Sequence, residues 1–134
     1  MKITPDTNVL VRVLVGDDAE QSKAAESVLK KAEVVAISIS ALCELVWVLS
    51  RGYKTSAVNI AASIRHLINA SNAAVDRPTA EAGLALLDAG GDFADGVIAH
   101  EGNWLGADTF VSFDKKAVKL IEASGGLARL AGTT

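Results

Sequence analysis

Sulfur chemistry is all but closed to this chain. Its 134 residues include one cysteine, Cys43, so no intrachain disulfide can form and no cysteine cage for zinc can be built. Such usage fits a reducing, cytoplasmic setting. Aromatic residues make up only 4% of the sequence, which leaves the core to Ala, Val, Leu and Ile. No apolar stretch approaches the ~20 residues that a membrane helix needs. The start, Met1-Lys2-Ile3-Thr4-Pro5-Asp6, lacks the apolar centre of a signal peptide, and a soluble protein without membrane contact is expected. Positive charge is short as well. With 13 Lys and Arg against 16 Asp and Glu, the net charge is −3, which argues against a passive nucleic-acid binder with a broadly basic surface. A nucleic-acid enzyme stays open, because a metal can neutralise an acidic pocket while a few local Lys and Arg hold phosphates.

What the chain has in quantity is apolar residues, at 50% and a mean hydropathy of +0.31, ample for a packed core and too much for disorder. The length is that of a single domain, residues 1–134. Residues 2–5 read as a strand stopped by Pro5, which cannot donate to a central ladder. Val9, Leu10, Val13 and Leu14 give a helix over Thr7–Val15, broken by Gly16. Asp17 then caps a helix through Glu33, with Ala24, Val28 and Leu29 on its apolar face. Val34–Ile37 is a continuous β-prone run, as expected of a strand covered on both sides. Ser40 to about Ser50 is helical, Arg51–Lys54 is a turn, and Thr55 or Ser56 starts a helix through Ile68. Ala73–Val75 reads as a brief strand, residues 79–89 as a helix ended by Gly90-Gly91, and Asp92 to about Leu105 as the next helix. Thr109–Phe113 is a strand, Lys115–Ala123 a helix and Leu127–Leu130 a last strand, with residues 132–134 frayed. Strands alternating with helices indicate a parallel α/β sheet between helix layers, where ligands bind beyond the carboxyl ends of the strands.

Four carboxylates stand at the ends of apolar runs: Asp6 after the first strand, Glu44 in Leu42-Cys43-Glu44-Leu45, Asp95 in Asp92-Phe93-Ala94-Asp95-Gly96, and Asp114 after Phe110–Phe113. A carboxylate in apolar surroundings is costly unless paired, hydrogen-bonded or bound to a cation, and their recurrence suggests a hard divalent metal. Asp6, Asp92 and Asp114 have a competing role as helix caps, and Asp95 as a favourable charge near a helix start. Glu44 is harder to explain structurally. Leu42, Leu45, Val46 and Leu49 share its helix, with Trp47 and Val48 filling much of the remainder, so the helix reads as mostly buried and Glu44 as needing a partner. Arg51 at i+7 is too distant to supply one. Asp92 and Asp95 share a helix face, with Asp95 the favoured ligand and Asp92 auxiliary. Asn8 can orient Asp6 or reach a phosphate oxygen, and Ser112 can reach the site mouth beside Asp114. His66 and His100 have no partners at zinc spacing. Cys43 reads as core, and Trp47 and Trp104 as core or interface anchors.

Asp6-Thr7-Asn8, Glu44 in Cys43-Glu44-Leu45-Val46-Trp47, Phe93-Ala94-Asp95-Gly96-Val97-Ile98-Ala99 and Ser112-Phe113-Asp114-Lys115-Lys116, in this order, resemble a PIN domain. They most resemble the VapC-type ribonuclease toxins of bacterial toxin–antitoxin pairs, over essentially the whole chain. The resemblance implies a three-layer α/β/α sandwich with a central parallel sheet of 4–5 strands. It implies Mg2+ or Mn2+ held by Asp6, Glu44, Asp95 and Asp114, with Asn8, Ser112 and Asp92 in support. It further implies an RNA substrate, a cognate antitoxin protein and a homodimer. Two positions depart from the pattern. Pro5 stands where a bulky aliphatic residue is expected, altering the first strand's last rung, and Gly96 inside a helix costs ~1 kcal/mol of propensity, loosening that wall.

The chemistry expected is metal-dependent hydrolysis of a phosphodiester in RNA, with oxygen ligands favouring Mg2+ or Mn2+ over zinc. Lys115, Lys116, Lys119, Arg51 and Arg12 are candidate phosphate contacts. Two other readings compete. An aspartyl-phosphate phosphotransferase or phosphatase would use Asp6 as nucleophile, but such enzymes usually carry a second Asp two residues on, where this chain has Asn8. A non-catalytic module would bind a protein partner through the acidic groove.

Overall fold

A computed structural model describes residues 1–132; of the end expected to fray, residues 132–134, positions 133 and 134 lie outside the described residues. The chain divides into two compact units, Met1–Asp76 and Arg77–Thr134. The class is mixed α/β with parallel strands throughout, and the five strands among the described residues form one sheet of three and one of two. The α/β class and the parallel strands meet the expectation, but the single central sheet of 4–5 strands is corrected: among the described residues the larger sheet has three strands and the other two.

In the first unit β1 (Lys2–Ile3), α1 (Thr7–Leu14), α2 (Ala19–Lys31), β2 (Val34–Ala36), α3 (Ile39–Trp47), α4 (Ala57–Ile68) and β3 (Ala73–Ala74) follow one another. The sheet order is β1-β2-β3, with Ile3 beside Val35 and Val35 beside Ala73. Parallel neighbours require long crossovers, and the helices supply them. β1 is shorter than expected because Pro5 offers no N–H; in its place the Thr4 hydroxyl donates to the Ala36 carbonyl at 3.0 Å. Asp18, not Asp17, caps α2 by accepting from the Gln21 N–H. The side chain of Asp17 is taken by Arg12, at 2.8 Å, and by the Tyr53 hydroxyl, at 3.0 Å. Donation by Tyr53, with Arg12 alongside, holds the Asp17 carboxyl below the usual range. The apolar face of α2 is also narrower than its sequence suggests. Ala25 is buried while Ala24 and Val28 are exposed. Helix α3 begins after Ser38, whose hydroxyl accepts from the Ala41 N–H, and runs into a π-helical turn at Val48–Gly52.

The second unit holds α5 (Arg77–Asp88), α6 (Phe93–Trp104), β4 (Thr109–Ser112), α7 (Lys115–Ala123) and β5 (Leu127–Leu130). β4 and β5 are in register from Thr109 beside Leu127 to Ser112 beside Leu130. Helices α5 and α6 touch backbone to backbone. A Cβ added to Gly96 would lie 2.3 Å from the Ala82 carbonyl oxygen, and one on Gly83 would lie 2.6 Å from the Phe93 ring. Gly96 is therefore a device for close packing, and the expected loosening of that wall is corrected. Leu10, Leu42, Leu45, Ile60 and Ile64 are fully buried in the first unit, and Leu84, Phe93 and Thr79 in the second.

Candidate active site

The first unit brings Asp6, Asn8 and Glu44 to one open cavity of about 340 Å3, lined also by Pro5, Thr7, Ser38, Ser40, Ala41 and Val48. Asp6 caps α1, with Oδ1 accepting from the Val9 N–H at 3.1 Å. Capping and function are compatible here, since a carboxylate has lone pairs to spare on its second oxygen. Glu44 is exposed, which corrects the expectation of a buried helix face: Ala41, Leu42, Leu45 and Val46 are buried, and Glu44 and Trp47 share the open side. Its position is set by Thr7, whose hydroxyl donates to Oε2 at 3.0 Å. That bond ties the first turn of α1 to α3. Thr7 is the residue that sequence reasoning missed; its only signal is its place between Asp6 and Asn8.

The second unit brings Asp92 and Asp114 within electrostatic reach of Asp95. Asp92 caps α6 through Oδ1 to the Ala94 N–H, at 3.1 Å. Asp114 caps α7 through Oδ1 to the N–H groups of Lys116 and Ala117, at 2.9 and 3.2 Å. The Ser112 hydroxyl accepts from the Asp114 N–H at 3.0 Å, so Ser112 serves Asp114 directly. Asp95, one turn into α6, is half-buried, and its carboxyl has no hydrogen bond or ion pair among the described residues. Burial, then the charges of Asp92 and Asp114, push its pKa above the ordinary value of 3.8. Lys115 and Lys116 are exposed and form no ion pair among the described residues, so Asp114 answers to backbone amides and not to neighbouring lysines.

Residues 3–122 match the PIN domain family. The chain belongs to that family. PIN domains are generally nucleases that act on RNA and use divalent metal ions. No curated protein matches the chain. Among the described residues of this PIN domain, no three His, Cys, Asp or Glu side chains stand grouped as a finished metal cage. The donor chemistry nevertheless suits a hard cation. Every candidate is an oxygen donor, and Asp95 lies under the charges of Asp92 and Asp114 with no Lys or Arg paired to it among the described residues. His100 is half-buried with Nε2 lacking a partner, and His66 is exposed. Arg12, by contrast, is committed to Asp17 at 2.8 Å. No helix among the described residues is long and apolar enough to cross a membrane.

Proposed function

We propose that this PIN domain is a Mg2+- or Mn2+-dependent endoribonuclease and the toxin of a VapBC-type pair. Its partners would be a cognate antitoxin protein and a second copy of itself, in the cytoplasm. The observation that carries the reading is Asp95, a half-buried carboxylate with no Lys or Arg paired to it among the described residues, under the charges of Asp92 and Asp114. Like-charged groups kept together against their mutual repulsion mark functional sites more often than structural ones.

Asp6, Glu44, Asp95 and Asp114 would hold the ion directly or through water, with residues 1–134 working as one domain. When bound, Mg2+ or Mn2+ acidifies water and offsets charge on the departing 3′ oxygen. The chain's own groups prepare for this. Thr7 aims Glu44, Ser112 and two amides fix Asp114, and the Val9 amide fixes Asp6. Asn8 stands in the same cavity as Asp6, and Asp92 adds negative charge beside Asp95.

The test is cleavage of RNA by purified protein with Mg2+ or Mn2+, against the same protein in chelator and against Asp6→Asn and Asp95→Asn. We expect cleavage only with metal, and in each variant a loss exceeding the ~10–100-fold typical of removing an outer-shell partner. Parental rates in both variants would sink the reading, and covalent phosphate on Asp6 would favour a phosphotransferase. The toxin role predicts growth arrest on expression, relieved by the product of a short neighbouring reading frame.

A further inference from the structure

We propose that the hollow between α1 and α2 is a subsite for an RNA phosphate next to the one cleaved, with Arg12 binding it and Tyr53 positioning Arg12; the proposal rests on the ribonuclease reading above. A cavity of about 560 Å3 is lined by Asp6, Asn8 and Arg12 on one side and by Gln21, Ala24 and Val28 of α2 on the other. Asp6 and Asn8 also line the cavity that holds Glu44, so the two hollows share these residues. Arg12 follows Asn8 by four positions and therefore lies on the same helix face, about 6 Å further along the axis at ~1.5 Å per residue. It is the one cationic residue among the described residues lining this cavity. A phosphate reaching out from the acids along α1 meets it first.

A surface ion pair alone says little, and the setting of this one is what matters. Asp17 accepts from Arg12 Nη1 through Oδ1, at 2.8 Å, and from the Tyr53 hydroxyl through Oδ2, at 3.0 Å. Each carboxylate oxygen thus has its own donor, and Asp17 takes one of the five N–H donors that a guanidinium carries. The rest of the planar fork is left for a phosphate, whose oxygens it matches in geometry and charge. Tyr53 reaches Asp17 across 36 positions of sequence, and the chain accepts a local cost to present it. A π-helical turn at Val48–Gly52 precedes Tyr53, and Lys54 after it takes φ +54°, in the left-handed region that side chains disfavour. Strained backbone of this kind gathers where a side chain must be placed for function.

The experiment compares Arg12→Gln, Arg12→Lys and Tyr53→Phe with the parent. Fluorescence anisotropy with a labelled oligoribonucleotide in chelator, repeated over a series of salt concentrations, reads binding, and cleavage of that strand with Mn2+ reads KM and kcat. Circular dichroism checks that the variants are folded. Each phosphate contact to a single strand adds about 0.7 to the slope of log affinity against log salt, so Arg12→Gln should flatten the slope by that amount. Arg12→Lys should keep the slope and lose affinity, because the charge stays and the fork goes. Tyr53→Phe also keeps the charge; it should keep the slope and weaken binding on the order of 2- to 10-fold, the worth of one hydrogen bond, with the loss in KM more than in kcat. Unchanged slope and affinity in folded Arg12→Gln overturns the subsite, and a parent that still cuts RNA leaves the ribonuclease in place. Tyr53→Phe equal to the parent in affinity and KM overturns the positioning role. Should Arg12→Gln fail to fold, parental affinity in both Arg12→Lys and Tyr53→Phe overturns the proposal. A parent that cuts no RNA, yet whose binding slope falls in Arg12→Gln, rejects the ribonuclease reading and keeps the phosphate contact; a parent that neither cuts nor binds RNA overturns both. Unchanged RNA binding with weakened association to a protein partner would assign the hollow to a protein interface and overturn the proposal.

Discussion

Asp95 and Phe93 sit two positions apart on one helix and show how differently the interior treats them. Phe93 is wholly buried against Gly83, while Asp95 is held half-buried with its proton affinity raised by desolvation and by Asp92 and Asp114. An acid whose folded pKa lies above its unfolded one favours the folded state while protonated. That advantage is present at low pH and is lost as pH rises through the folded value. Ionised Asp95 is therefore a cost at neutral pH. Asp95→Asn should raise the melting temperature of the metal-free protein at pH 7, and the gain should shrink as pH falls below the folded pKa of Asp95. An unchanged or lowered melting temperature at neutral pH would show that the acid is not strained. Each of the three capping acids keeps one oxygen on a backbone amide, so the choice between cap and ligand was never exclusive. Sequence reasoning could find Asp6, Asp92 and Asp114, because strand ends and helix starts are written in local residue types. It misjudged the surroundings of Glu44, because the orientation of α3 depends on what packs against it.

At the scale of elements, capping was legible and packing distance was not. Ser56, Asp92 and Asp114 each accept an amide of the helix they open, as residue type suggests, whereas Ser38 and Asp18 hold the caps expected at Ser40 and Asp17. Asn72 was invisible. Its Nδ2 donates to the carbonyls of Leu29 and Ala32, at 2.9 and 3.0 Å, closing the end of α2 from some 40 positions away, and no local pattern announces that. Gly96 was misread for the same reason. Viewed along the chain it weakens a helix; viewed across to α5 it makes room for the Ala82 carbonyl. Gly96→Ala should therefore destabilise the protein by about 1–3 kcal/mol, the cost of overpacking, despite an intrinsic helix gain of ~1 kcal/mol. Chemical denaturation measures the balance, and a variant more stable than the parent would mean that α5 and α6 can separate without loss. Residual cleavage should fall as well, because α6 carries Asp95.

For the whole molecule, the net charge of −3 and the acids at two strand ends make divalent cations the natural stabilising ligands. If Mg2+ or Mn2+ binds the native state alone, a concentration 100-fold above its dissociation constant adds about 2.7 kcal/mol. The melting temperature should rise on titration with Mn2+ and stay nearly flat for Asp95→Asn. A parental protein indifferent to Mn2+, Mg2+ and chelator would count against metal ligation by these acids. Because carboxylates must ionise to bind metal, the rise should fade at acidic pH sooner than a set of ordinary aspartates would allow.

The sequence by itself determined the helices and parallel strands, the caps, the scarcity of aromatic core and the order of the four acids. All of these depend on residue type and short-range periodicity, which the chain carries openly. Tertiary structure decided the rest: Glu44 on an open face held by Thr7, the tight seam of Gly96 and Ala82, and Asp95 under the charge of Asp114. Each depends on distance between segments remote in sequence, and distance is what a linear pattern does not contain.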